Sequence, residues 1–336
     1  MKKTVVAMSL AVIFSASALA ETEQTEQKKE TTPSLTALES QVSTADLLTA
    51  VNPPPKKEGR LHGTLSSKIE LEQWRYDDTS KEEGMRNGGK LKYVLAEGNF
   101  RHDDLPGWDF GFHSSREDIF EGEPFDQDYQ ANNSILEVYA NRNYNKDWGN
   151  IGWGVKLGSE SADDRWMPEI KGFGTYRITD KLDVHGYALY HVEHKRGHGD
   201  FNYFEIEPGF GYQIADNMGA WLNFRYQHGT WVPNGDFDKE VETEVIIKPG
   251  VWYGFGKLSA SLWGEFGQFE KENDRTGAHL WKEDYWKLGV SANYPLSKQF
   301  RLVGEVSYKS VKFENTDKTE FDGYLPFGMI GINYSF

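Results

Sequence analysis

From Leu61 to Phe336 the sequence alternates with a period of two, and few folds accommodate so long an alternation. At the carboxyl end, Phe336, Tyr334, Ile332 and Ile330 share one parity, while Ser335, Asn333 and Gly331 share the other. Successive side chains of an extended strand point to opposite faces, so this segment carries one apolar face and one polar, small-residue face. Between 286 and 294, Trp286, Leu288, Val290, Ala292 and Tyr294 oppose Lys287, Gly289, Ser291 and Asn293. Near 220–227, Ala220, Leu222, Phe224 and Tyr226 oppose Trp221, Asn223, Arg225 and Gln227. Fourteen strands are predicted, near 61–75, 90–100, 108–117, 133–144, 151–159, 165–178, 182–194, 202–214, 218–228, 240–254, 257–270, 283–294, 300–313 and 324–336. Pro168, Pro208 and Pro249 fall inside three of them, where each removes a ladder donor and weakens the strand or marks a bulge.

Alternation alone suits a soluble sandwich or a membrane barrel. Two features separate these. The links after even strands are short, as in Thr179-Asp180-Lys181 and Ala215-Asp216-Asn217. Those after odd strands are mostly longer and charged, such as the runs from Asp77, from Asp118 and from Lys271. Short turns at one end and long loops at the other fit a transmembrane antiparallel up-and-down β-barrel. Tyr144, Tyr176, Tyr212, Tyr253, Tyr294 and Phe336 also sit near the ends of even strands on the apolar parity, and Trp166, Phe204, Phe266, Trp286 and Tyr308 fall near the opposite rim. Two aromatic girdles have a physical reason where rings settle at lipid headgroups, and none in a soluble sandwich.

The amino terminus points to an extracytoplasmic destination. Lys2 and Lys3, an apolar run from Thr4 to Ser15 and the small-residue site Ala18-Leu19-Ala20 form a signal peptide over 1–20. Residues 21–60 are expected to be a polar leader, with a short helix at about 35–51 that the Pro53-Pro54-Pro55 run stops. No stretch reaches the roughly 18 apolar residues of a spanning helix, a test blind to strands. The chain has no cysteine, which excludes a disulfide scaffold and a cysteine nucleophile, and its net charge of −15 argues against nucleic acid as a partner.

The polar parity is the candidate functional surface. It carries more acids than bases: Glu137, Glu205, Glu207 and Glu265 with Glu70, Glu97, Glu169, Glu244 and Glu305 among others, against Arg177, Arg225 and Lys248 with Lys68, Lys156, Lys171, Lys287, Arg301 and Lys309. Facing water and one another, these form a solvated, salt-bridged wall, and the acid excess implies a mild cation preference. Trp74, Tyr139, Phe173, Tyr187, Trp221, Trp252 and Trp263 share this parity. They either fill space or stack on the apolar faces of sugars while carboxylates and Arg bond the hydroxyls. Small residues there, Gly152, Gly154, Gly209, Gly211 and Gly289, point to open space. His191, His194 and His198 lie close in sequence but match no standard metal-ligand spacing. His113, His185 and His191 have no nucleophile placed beside them by any local motif.

ILEVYANRNY from Ile135, MPEIKGFGTYRITDKLDVHGYALY from Met167, FEIEPGFGYQIADNMGAWLNFRYQHG from Phe204 and the terminal GMIGINYSF resemble the OmpG-type monomeric outer-membrane porins, a group that includes porins for cyclic oligosaccharides. The resemblance spans most of 61–336 and implies a fourteen-stranded, single-chain barrel in the bacterial outer membrane, both termini periplasmic. It implies diffusion of ions and small hydrophilic solutes, neutral oligosaccharides among them, through one pore. The acid-rich parity disfavours oligogalacturonate. Implied partners are the lipid bilayer, lipopolysaccharide and the outer-membrane assembly machinery through the C-terminal strand. No catalytic residue, cofactor or metal is implied. The alternatives are a barrel enzyme of lipase or protease type and a plugged structural barrel. The leader departs from the family pattern and is either a tether, a segment entering the pore, or a periplasmic helix that self-associates.

Overall fold

The computed structural model describes residues 60–77, 86–121, 133–161, 164–196, 199–234 and 238–336. The expected signal peptide, the leader up to residue 59 and its helix lie outside the described residues. All fourteen expected strands are present: β1 (Leu61–Tyr76), β2 (Gly88–His102), β3 (Trp108–Glu121), β4 (Asn133–Lys146), β5 (Gly149–Glu160), β6 (Arg165–Arg177) and β7 (Leu182–Lys195). They continue as β8 (Gly199–Ala215), β9 (Met218–Pro233), β10 (Glu240–Phe255), β11 (Leu258–Asn273), β12 (His279–Pro295), β13 (Phe300–Asn315) and β14 (Glu320–Ser335). Each pairs antiparallel with its sequence neighbour, and β14 closes on β1, with Ile330 opposite Ile69 and Ser335 opposite Thr64. A closed ring leaves no unpaired strand edge, the condition for placing a sheet in lipid. Gly63 and Phe336 complete the seam by exchanging backbone hydrogen bonds of 3.1 and 3.0 Å.

The period of two is realised as inside and outside. Leu136, Ile151, Ile170, Val245, Leu262 and Ile330 are exposed on the outer face. Their alternating neighbours carry the polar groups of the inner wall. The outer face ends in the two expected girdles. Tyr144, Tyr176, Tyr212, Tyr253 and Phe336 are exposed at the end with short turns, and Trp166, Phe204, Phe266, Trp286 and Tyr308 toward the end with loops. At the turn side, Gly256 adopts φ 64° in the two-residue link between β10 and β11, a conformation glycine takes without strain.

Three local features depart from the simple alternation. At the loop side the strands run further than their composition suggests. β11 and β12 extend to Asn273 and from His279, so the long link expected from Lys271 shrinks to residues 274–278. The in-strand prolines are accommodated without bulges. Pro168 pairs with Leu157, Pro208 with Gly186 and Pro249 with Leu222, while the ladder on each proline's other side skips two pairs and resumes in the same register. The missing N–H thus interrupts one ladder locally and leaves the alternation intact. A true bulge occurs instead in β2, where the register with β3 shifts between Val94 and Ala96. Leu95 is the extra residue and is 61% exposed. The inward parity changes across it, from Lys90, Lys92 and Val94 to Glu97 and Asn99.

Candidate functional site: the inner wall of the barrel

Five predicted site residues converge on β7 to β10. Tyr187 of β7 pairs with Glu207 of β8, and its hydroxyl donates to Glu205 and, at 3.2 Å, to Glu207. Glu205 also accepts from the Tyr203 hydroxyl and from Gln227 at 2.6 Å. Glu207 accepts from Asn223 at 2.9 Å and from Lys248 of β10 at 3.0 Å. Both carboxylates are buried, at 3% and 1% exposure. Burial of a charge without partners is severely unfavourable, and here each carboxylate meets donors from three strands. Arg225 continues the network to Glu244 at 3.2 Å, which also takes the Tyr285 hydroxyl at 2.5 Å. Tyr203, Asn223 and Tyr285 do not stand out in the sequence, because nothing local shows that their polar atoms complete the sockets of Glu205, Glu207 and Glu244.

Cross-strand ion pairs line the rest of the wall. Lys156 holds both Glu137 and Glu169 at 3.0 Å, and Lys68 holds Glu97 at 2.7 Å. Lys271 reaches Glu240 at 2.7 Å, and Lys309 reaches Glu283 at 3.5 Å. Lys90 and Lys92, which the sequence parity misses because of the Leu95 bulge, pair with Glu72 and Glu117. Among the described residues, Glu70, Glu265 and Glu305 have neither an ion pair nor a hydrogen bond, and the inward bases Lys287 and Arg301 likewise have no ion pair. Glu265 stands opposite Lys287, whose ammonium lies 4.9 Å above the Trp263 ring. Arg177 is exposed at the turn-side end of β6.

The inward aromatics lie against the wall, and glycines make the room. Cβ atoms at Gly88, Gly111, Gly152, Gly219, Gly250 and Gly289 would fall 2.0–2.5 Å from the side chains of Trp74, Tyr139, Phe173, Trp252, Trp221 and Trp263 respectively. This corrects the expectation that the small inward residues signal open space. Gly152 and Gly289 are seats for rings, Gly154 is filled by Asn141, and Gly209 by Asn223 and His185. Trp221, Trp252 and Trp263 also pack together toward the turn side, each at 6–8% exposure. Toward the loops, Trp74, Tyr76, Tyr285, Val311, Phe313, Phe321 and the fully covered Ile246 form a second apolar belt. The rings therefore brace the wall, and their faces are largely occupied.

The histidines do not assemble as their spacing suggests. His191 points inward between Glu169 and Glu193, whereas His194 lies on the outer face with Asp200; His198 is outside the described residues. His113 links Glu97 at 3.3 Å to Ser115 at 3.0 Å, the connectivity of an acid–imidazole–hydroxyl relay. Ser115 is only 1% exposed, and Glu97 is shared with Lys68 and Ser66, so the hydroxyl has no path to a substrate in this arrangement.

A closed barrel with a greasy, girdled exterior and a charged inner wall describes a channel, and comparison with known proteins supplies the family. A family model described as the OMPG-porin 1 family matches residues 43–336. The chain belongs to the OMPG-porin 1 family. It is an outer-membrane porin, and family and architecture point to a channel. No functionally curated protein matches the sequence. Among solved structures, the TodX monoaromatic hydrocarbon channel (a deltaS2 mutant) is similar at TM-score 0.50 and 9% identity, over 84% of this chain and 91% of that one. The outer membrane channel DcaP of Acinetobacter baumannii gives TM-score 0.44 and 12% identity, over 84% and 99%. The anion-selective porin from Comamonas acidovorans gives 0.43 and 11%, over 83% and 100%. At such identities the likeness concerns the barrel fold alone.

For an OMPG-porin the division of the wall is informative. The Glu205–Glu207–Lys248 network is buried in the wall, and Glu70, Glu265 and Glu305 are acids without an ion pair or hydrogen bond among the described residues.

Proposed function

We propose that this porin works as a monomer and lets small hydrophilic solutes, neutral oligosaccharides among them, diffuse through the lumen with a mild preference for cations. The carrying observation is the charge pattern of the inner wall, where most bases, Lys68, Lys156 and Lys248 among them, are held in ion pairs while Glu70, Glu265 and Glu305 have none. Acidic groups facing a water-filled constriction favour cations over anions. Glu137, Arg177, Arg225 and Glu265, with the edges of Trp74, Tyr139, Trp221, Trp252 and Trp263, are the candidate solute contacts. Tyr187, Glu205, Glu207 and Lys248 hold these in place. The short-turn end and both termini are placed in the periplasm, as in other bacterial barrels. The loop-side rim then meets lipopolysaccharide, and the C-terminal strand is the element offered to the assembly machinery. Residues 1–20 are read as a signal peptide and 21–60 as a periplasmic leader.

Planar-bilayer recording tests this reading. Purified protein is expected to conduct in single, non-triplicate steps, to favour K+ over Cl−, and to be blocked more strongly by neutral than by galacturonate oligosaccharides. Stronger block by the anionic sugars would overturn the solute assignment. Absence of conductance both in the intact mature chain and in a chain lacking 21–60 would overturn the open pore, whereas conductance in the truncated chain alone would assign the leader as a plug.

A further inference from the structure

On the turn-side half of the wall the outward positions are apolar or small, with one charged exception inside a strand. Among the described residues, Arg142 of β4 is the Lys or Arg that faces outward there; Lys146 stands at the end of the same strand beside the turn, and no outward strand position in that half is a carboxylate. A cation on the lipid face is tolerated only near the interface, and then with a partner. Arg142 has no carboxylate partner among the described residues.

What surrounds Arg142 is aromatic. Its row partners are Trp108 on β3 and Trp153 on β5. The guanidinium carbon lies 5.6 Å from the Trp108 ring centre and 5.0 Å from that of Tyr144. Trp108 meets Trp153 edge-on at 5.7 Å and stacks on Phe110, which stacks on Phe100. Nη1 donates to the Pro106 carbonyl in the turn between β2 and β3. That approach requires glycine at 107, which adopts φ 78° and where a Cβ would fall 2.7 Å from Nη1. Ring faces hold a guanidinium in place without neutralising it, and leave its remaining donors available. Tyr144, Trp148 and Trp153 are 41–43% exposed around it.

We propose that Arg142 and these rings form a binding site for the phosphodiester headgroup of a glycerophospholipid in the leaflet at the turn-side end of the barrel. The planar guanidinium presents parallel N–H groups that match two phosphate oxygens, as a lysine cannot. Tyr144, Trp148 and Trp153 sit at the level where indole and phenol rings prefer headgroups, and flank the glycerol and first acyl carbons. In the adjacent β2–β3 turn, Asp103 is engaged by the Arg60 amide and His62, and Asp104 lies beside His102.

Native mass spectrometry of the detergent-solubilised barrel tests the site. The protein is mixed with phosphatidylglycerol, phosphatidylethanolamine or diacylglycerol of the same acyl chains. The wild type is expected to hold one molecule of either phospholipid more tightly than any further one, and not the diacylglycerol. Arg142→Gln is expected to weaken that first phospholipid about tenfold, Arg142→Lys by less, with conductance unchanged because the residue faces away from the lumen. Wild-type binding by Arg142→Gln would overturn the proposal. So would diacylglycerol bound as tightly as phosphatidylglycerol, which makes the patch merely greasy, or inorganic phosphate alone displacing the lipid, which makes it a free-anion site. If the Gln variant gives no heat-modifiable barrel, Trp108→Leu decides, because it keeps the charge but removes a supporting ring. It should weaken the first phospholipid about threefold, and wild-type affinity there would overturn the proposal.

Discussion

Replacing Lys248 with Met should unfold this barrel far more readily than removing any rim lysine. Lys248 and Glu207 meet at 3.0 Å with side chains only 3% and 1% exposed. Without the ammonium, Glu207 keeps donors from Asn223 and Tyr187 but no counter-charge. Breaking a buried pair by removing one partner destabilises by about 3–5 kcal/mol, because the remaining charge is stranded in a poorly solvating place. The lower figure is expected here, since lumen water can relax around the site, and it still lowers the folded-to-unfolded ratio by about two orders of magnitude. Lys271→Met is the control. Lys271 bridges Glu240 and Glu242 at comparable distances, but with 31%, 33% and 26% exposure, so its loss should cost about 0–1 kcal/mol. The assay is urea unfolding in micelles followed by tryptophan fluorescence, under conditions where unfolding and refolding curves coincide. Adding Glu207→Gln to Lys248→Met should recover a large part of the loss, since the stranded charge is then gone. Equal losses for the two lysine variants, or no recovery in the double variant, would refute the burial argument.

Other expectations follow from single contacts. Gly289→Ala should destabilise by about 1–3 kcal/mol and shift tryptophan emission, because the added methyl meets Trp263 at 2.3 Å; Gly328→Ala, with nothing within 4 Å, should stay within about 1 kcal/mol of wild type in the same unfolding assay. The carboxyl of Asp103, in the turn after β2, is held below the usual range by the Arg60 amide and then by His62. A lowered folded value stabilises above the unfolded carboxylate range and is lost as pH falls through the folded value. Asp103→Asn should therefore speed amide exchange at the start of β1 at neutral pH, and the difference from wild type should vanish in strong acid. Deleting Phe336 removes both backbone bonds to Gly63 and a ring stacked near Tyr334, and should reduce the heat-modifiable barrel on gels while leaving secretion intact.

The strands were legible because membrane and lumen impose opposite demands on alternate residues, and that demand repeats along the whole chain. Where legibility failed, the cause was a contact between strands or a one-residue irregularity. No local pattern marks Leu95 as a bulge, yet it moves Lys90 and Lys92 to the inner wall. The glycines suggested emptiness because a sequence shows what a residue lacks, not which ring across the ladder fills the space. The extension of β11 and β12 beyond Lys271 and before Glu283 is set by pairing, which lets charged residues continue a ladder past the membrane. At the candidate site the charged and aromatic positions were readable by parity. Their sorting into braces and groups without partners was not, because it depends on neighbours such as Asn223 and Tyr285 from other strands.

The seam between β1 and β14 has a kinetic consequence. Every other ladder joins strands that follow one another, so each can zip as a hairpin soon after its turn forms. The seam alone brings together positions roughly 270 residues apart, for which loop-closure entropy amounts to about 5 kcal/mol, set against the ladder bonds that close the ring. It is therefore the last ladder expected to form and the first to open. Until it does, β1 and β14 are two exposed edges able to pair with a neighbouring strand. An engineered tether across this one junction should speed closure, whereas the same tether across any hairpin should leave the rate unchanged.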